Sequence, residues 1–330
     1  MHRIVFALAA AAVLLFAAPA AAQELVLQQQ EGESPSAWRG SQLRYGHVGT
    51  TVGLDKGAEL TWNPYHAHTL TIAPRYYFTD AISTGLTFSL EQELTDSDWT
   101  TSKHEVLFSD LFADLTWRGW DEPFSGVRLS GSLRVTLPTS KVSQAQTMVA
   151  AVAPTLRVAR YFDLLSGAGI SWSTRWNQRF NRESTARTEA AGIVGCGVDS
   201  SCEALRNTGL LNAWADLSTG PSLELLPTED LVLTADFRWG YAFLYENAEV
   251  RDPFSGELLQ GPSDFDGRAT TYFGIGAIYT LAKEVNLSLG VGTPSPQIGA
   301  DGRRRSPFFN RYTQLSFDVQ LNLDAIIRSI

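Results

Sequence analysis

The stretch SGVRLSGSLRVTL, Ser125–Leu137, alternates without error. Val127, Leu129, Gly131, Leu133, Val135 and Leu137 fall in one phase; Arg128, Ser130, Ser132, Arg134 and Thr136 fall in the other. A strand turns successive side chains to opposite faces, so this segment has one apolar face and one wet face. The apolar face meets either a protein core or lipid. Which of the two it meets decides what the arginines look at.

Outward from that strand, the rest of the chain narrows the choice. The start reads as an export leader: a short basic MHR, the apolar run IVFALAAAAVLLFAA, and small residues before a cut after Ala22. Beyond it no apolar stretch is long enough for a spanning helix. A mean hydropathy of −0.08 with 18% charged residues suits a soluble protein or a barrel that hides its apolar residues by alternation. The formal net charge of −9 argues against nucleic acid as a partner.

From Ser41 onward, segments of about ten residues with period-2 alternation recur. They run Ser41–Leu54, Leu70–Thr79, Ile82–Leu94, Val106–Trp117, Val127–Leu137 and Thr147–Tyr161. Then come Leu164–Asn177, Leu210–Leu225, Leu231–Phe243, Thr270–Leu281, Val285–Thr293 and Tyr312–Leu323. The first keeps no clean phase. Their connections alternate between tight turns such as TDA, YFD, PTED and AKE and long polar loops such as Gln178–Gly209. That rhythm predicts an all-β fold, a transmembrane antiparallel up-and-down β-barrel of about 12 strands with short periplasmic turns and long outer loops. Residues 1–22 read as the leader, 23–40 as a periplasmic segment, 41–323 as the barrel and 324–330 as a tail.

The apolar phase supplies a lipid-facing set: Leu70, Ile72, Pro74, Tyr76 and Phe78; Leu86, Phe88 and Leu90; Leu107, Leu111, Leu115 and Trp117; Leu231, Leu233, Phe237, Trp239 and Tyr241. Aromatic residues gather toward segment ends, as interfacial girdles do. The opposite phase supplies pore-lining candidates: Arg75, Glu91, Glu93, Asp110, Asp114, Arg128, Arg134, Arg157, Arg175, Asp236 and Arg238. An arginine in lipid costs roughly 2–4 kcal/mol at midplane, so two on one strand fix which way it faces. Carboxylates crowd the third and fourth strands and guanidinium groups the fifth to seventh. This order suits either an inter-strand ladder that fills the barrel or a transverse field across a wet pore.

NPYHAHTLTIAPRYYFTDAISTGLTFSLEQELTDSD, Asn63–Asp98, and the chain after Gly40 as a whole resemble bacterial outer-membrane β-barrel proteins. The resemblance rests on pattern rather than on a motif. It implies outer-membrane lipid as surroundings, barrel assembly machinery as a partner in biogenesis, and passage of small polar solutes through a porin-like channel. The chain departs from such barrels at its end, where DAIIRSI follows the last alternating strand in place of a terminal aromatic residue.

Two other functions are weighed: a structural or surface-interaction barrel with a plugged lumen, and a lipid-active enzyme. A lipid hydrolase needs a histidine beside a serine near the outer leaflet. His66 and His68 have the right level and point outward, but neither G-x-S-x-G nor H-E-x-x-H occurs. The phase of His104 points inward. These histidines read as ordinary interfacial or loop residues, and the pattern calls for no metal and no cofactor. Cys196 and Cys202, in CGVDSSC, sit in the longest loop and are expected to close a small ring in an oxidising compartment. Peptide mapping of protein from native membrane should find them linked; thiol alkylation without reductant would reject the bridge.

Overall fold

A computed structural model describes residues 36–51, 65–95, 104–187, 207–246, 250–251, 253–260, 267–296, 305–310 and 312–329. The proposed leader and both cysteines lie outside the described residues. The wall begins with β1 (Gln42–Thr50) and β2 (His66–Ala73). Pro74 parts β2 from its continuation β3 (Arg75–Tyr77). β4 (Ile82–Glu93) follows, then β5 (Val106–Phe108) and β6 (Leu111–Asp121), two parts of one stave. β7 (Val127–Leu137) leads through a five-residue helix, α1 (Lys141–Ala145), to β8 (Met148–Phe162) and β9 (Ala168–Asn181). A separate hairpin, β10 (Thr185–Arg187) with β11 (Asn207–Leu211), precedes β12 (Ala213–Thr228) and β13 (Leu231–Leu244). A second small ribbon, β14 (Val250–Arg251) with β15 (Leu258–Gln260), precedes β16 (Gly267–Ala282), β17 (Val285–Pro296) and β18 (Gln314–Asn322). A short helix, α2 (Leu323–Ser329), follows β18.

The staves form a closed antiparallel barrel of 12 strands. Closure is made by β1, which pairs with β2 on one side and with β18 on the other, from Gln42↔Asn322 to Thr50↔Gln314. Tight connections gather at one end. There Glu122 accepts from the backbone N–H groups of Phe124 and Ser125 and from the Ser125 hydroxyl. Those bonds, the hydroxyl's first, hold its carboxyl below the usual carboxylate range.

The outer surface is apolar and the inner surface small and polar, the reverse of a soluble domain. Leu133, Leu115, Leu156, Leu223 and Leu289 are exposed on the outside, while Ser89, Thr136, Ser171 and Ser222 are buried inside. Rings mark both ends: Trp38, Tyr76 and Phe78 pack together near the short turns, and Trp176, Trp214 and Phe243 near the long loops. Two expectations need correction. Leu107 does not face lipid: it lies opposite Glu91 and lines the lumen, because the break at Ser109–Asp110 shifts the phase by one residue. Four residues predicted as loop, His66 to Thr69, belong to β2.

Leu133 lies near the middle of β7 on the lipid face, opposite Leu115. Leu133→Arg should cost roughly 2–4 kcal/mol in urea unfolding from lipid vesicles, whereas Leu133→Phe should leave the transition in place. Equal behaviour of the two variants would mean the faces are assigned wrongly.

Candidate functional site in the barrel lumen

Alternation places the inward side chains, and the antiparallel register then decides which of them meet. Arg134 lies directly opposite Asp114 and binds it in a fork, Nε to Oδ1 at 2.7 Å and Nη2 to Oδ2 at 3.1 Å. Arg128 makes the same fork with Asp121 at the short-turn rim, at 2.6 and 3.1 Å. The arginines of the opening stretch look into the barrel, each at a carboxylate of the preceding stave. Such two-point pairs fix direction as well as distance.

Further pairs continue round the wall. Arg157 donates to Glu224 at 3.0 Å, Arg179 to Asp216 at 2.6 Å, and Arg44 lies 4.0 Å from Asp318. Asp236 accepts from Ser222 and has Arg238 at 3.9 Å. Glu91 accepts from Tyr65, and Glu93, fully buried, from Thr95 at 2.9 Å. Asp110 accepts from the Ser140 N–H at 2.9 Å and from the Ser143 hydroxyl. It thereby holds the first turn of α1, where Ser140 also caps the Ser143 N–H. Lys141 reaches Glu105. Asn181 and Asn212 clamp the Gln146 carbonyl at 2.7 and 2.8 Å.

The connection Pro138–Gln146, which the alternation predicts as a long outer loop, is therefore tied to lumenal residues. An internal cavity of about 490 Å³ runs from Gly40, Gln42 and Arg75 to Lys141 and Gln146, past Asp114, Arg134 and Arg175. Leu226 and Val232, with Tyr161 and Ile278, make a small apolar cluster toward the short-turn end. The ladder and the cavity coexist.

Among the sequence-predicted residues, Asp110, Asp114, Arg134, Arg175, Asp236, Glu91 and Arg75 line this cavity. Arg128 sits apart at the rim. Sequence reasoning missed Arg44, which lies in the strand without clear phase. It missed Arg179 because β9 runs four residues past its predicted end. It missed Arg268 because β16 starts three residues early. The outer histidines His66 and His68 face away from the lumen, as expected, but none of their bonds among the described residues reaches a serine hydroxyl. His104 is exposed in a turn with φ of 54°, and Gln92 donates to its carbonyl at 3.4 Å.

A closed barrel with an apolar exterior and a charged interior is a transmembrane β-barrel of the outer-membrane type. No protein-family model matches the chain, and no curated protein sequence matches it either. Among solved structures it is similar to an outer membrane channel from Pseudomonas putida F1, with a TM-score of 0.51 and 13% identity over 88% of this chain and 98% of that one. The NanC porin gives 0.45 at 6% identity over 86% and 98%, and the KdgM porin 0.41 at 10% over 85% and 98%. The first of these establishes a shared fold.

Among the ion pairs between described residues Arg157–Glu224 is the most buried, with side chains 13% and 3% exposed. Arg157→Met takes the guanidinium away from a buried carboxylate and should cost about 3–5 kcal/mol in urea unfolding. The double variant Arg157→Met, Glu224→Leu should recover much of that loss; no recovery would deny the coupling.

Proposed function

We propose that this barrel is a passive outer-membrane channel for small polar solutes, with a preference for anions. One observation carries the reading: near the middle of β9, Arg175 lines the cavity and forms no hydrogen bond or ion pair with any described residue. Its electrostatic neighbours, Arg134, Asp114, Asp216 and Arg238, leave the guanidinium between two like and two opposite charges. Arg75 lines the same cavity, and its side chain has no described partner either. The lumenal carboxylates, by contrast, each accept a hydrogen bond from a neighbour. Bonded carboxylates hold still, three of them on arginines, while free guanidinium groups present five donors to whatever passes. The lumen is thus more attractive to anions than the chain's net charge of −9 suggests.

The reading places short turns in the periplasm, long loops outside, and assembly in the hands of the barrel assembly machinery. Similarity in fold to an outer membrane channel supports it. In planar bilayers under a KCl gradient, the protein should conduct with a reversal potential on the anion side. Arg175→Glu should move that potential toward cations, and further at 0.01 M salt, where the Debye length reaches about 30 Å. A folded barrel that never conducts, in either form, would favour the plugged, structural reading.

A further inference from the structure

Among the described residues three histidines gather in one cluster, which the charge pairs of the lumen do not involve. His66 and His68 on β2 and His47 on β1 bring three of the chain's five histidines onto one patch of the outer surface, beside the long-loop end. Register explains the gathering, since His47 lies directly opposite His68, and Gly49 opposite His66. The Nδ1 atoms of His47 and His68 stand 3.3 Å apart. Ring centroids are 4.8 Å apart for His47 and His68, and 6.1 Å for His47 and His66. Gly49 makes room for the third ring: a Cβ there would lie 2.6 Å from His66 Nδ1.

We propose that His47, His66 and His68 bind a divalent transition-metal ion of the copper, nickel or zinc class at the rim of the lipid-facing surface. Metal–nitrogen bonds of 2.0–2.1 Å in a tetrahedral site put two ligand nitrogens about 3.4 Å apart. The His47–His68 pair already has that spacing. Two histidines at i and i+2 on one strand, with a third on the antiparallel neighbour, present three imidazoles from one rigid face, and imidazole suits these metals. Among the described residues no three such side chains are yet closed round one point. As it stands the His66 ring lies over Gly49, its centroid 6.1 Å from that of His47, and it must rotate to complete the set.

The contacts as they stand leave one ring nitrogen shared between two neighbours. Tyr45 Oη lies 2.7 Å from the same His68 Nδ1 that faces His47. One ring nitrogen offers a single lone pair or a single proton, so it cannot serve both neighbours fully. A metal between the two rings takes both lone pairs and leaves Tyr45 free to donate elsewhere. Across the neighbouring strands, the residues opposite are Gln92 for His68 and Phe317 for His47, and neither carries charge. The remaining coordination position therefore falls to water or to an oxygen of a lipid headgroup.

The test uses tag-free protein folded in detergent micelles, titrated with Cu²⁺ and with Zn²⁺ by calorimetry, with Cu²⁺ spectra read for nitrogen coupling. One site per barrel is expected. His47→Ala, His68→Ala and His66→Ala should each weaken binding about tenfold or more, and His104→Ala should not. Gly49→Ala keeps all three histidines but displaces the His66 ring, and it should weaken binding as well. Heat-dependent electrophoretic mobility verifies that each variant is folded. Absence of binding, or unchanged affinity in folded His47→Ala or His68→Ala, overturns the proposal. Unchanged affinity in His66→Ala overturns the three-histidine assignment.

Discussion

The backbone hydrogen bonds between β1 and β18 carry the rest of the structure. In hydrocarbon an unpaired N–H or C=O has no water to turn to, and each costs several kcal/mol. An open sheet of this size would present two bare edges to lipid. Nine residue pairs, Gln42↔Asn322 through Thr50↔Gln314, remove both at once. Next to this seam the wall tolerates breaks only where another group can serve. At Pro74, which has no N–H to lose, the carbonyl still accepts from Leu86 at 3.0 Å. At the Ser109–Asp110 break, Ser109 keeps its N–H on the Ser89 carbonyl and returns its hydroxyl to the Ser89 N–H.

Closure also dictates chemistry on the two faces. Once the ladder is complete, every strand must send alternate side chains into lipid and into the lumen. A one-residue slip would therefore carry charged residues into hydrocarbon. The charge pairs strengthen the same choice of register. Asp114 can form its two-point contact with Arg134 only when those residues sit directly opposite one another. Residues that line the lumen thus help to set the alignment of the wall. In a lumen that retains water such pairs cost less desolvation than they would in a dry core.

Strand existence, facing and number were legible in the sequence because one physical rule, alternation against lipid, writes them over many residues. Arg134, Asp114 and Asp236 could be placed for that reason. Ends and interruptions were not legible. Arg179 and Arg268 lie near the long-loop ends of their strands, where the alternation of apolar residues fades. Leu107 was misplaced because a single extra residue inverts the phase while leaving the composition unchanged. β1 kept no clean phase for a related reason: near the rim, His47 and Gly49 stand on its outward face, where the rule expects an apolar side chain. The α1 helix left no trace in periodicity, since five residues are too short to show one. It is held by Asp110, a contact between residues thirty positions apart.

What the alternation rule fails to explain is itself informative. A lipid-facing position is filled most simply by Leu, Val or Phe, and the neighbouring β18 does this with Leu315, Phe317 and Val319. On β1 and β2 the same band carries Tyr45, His47, His66 and His68 instead. Imidazoles there lose hydration without gaining the packing of an aliphatic side chain, so the strand stability is poorer than it could be. Gly49 adds to that cost, because a glycine weakens a strand and here serves mainly to admit the His66 ring. In the lumen, polar residues meet the demand of water. On the outside the only demand is lipid, and a polar patch that lipid does not require points to a ligand of its own.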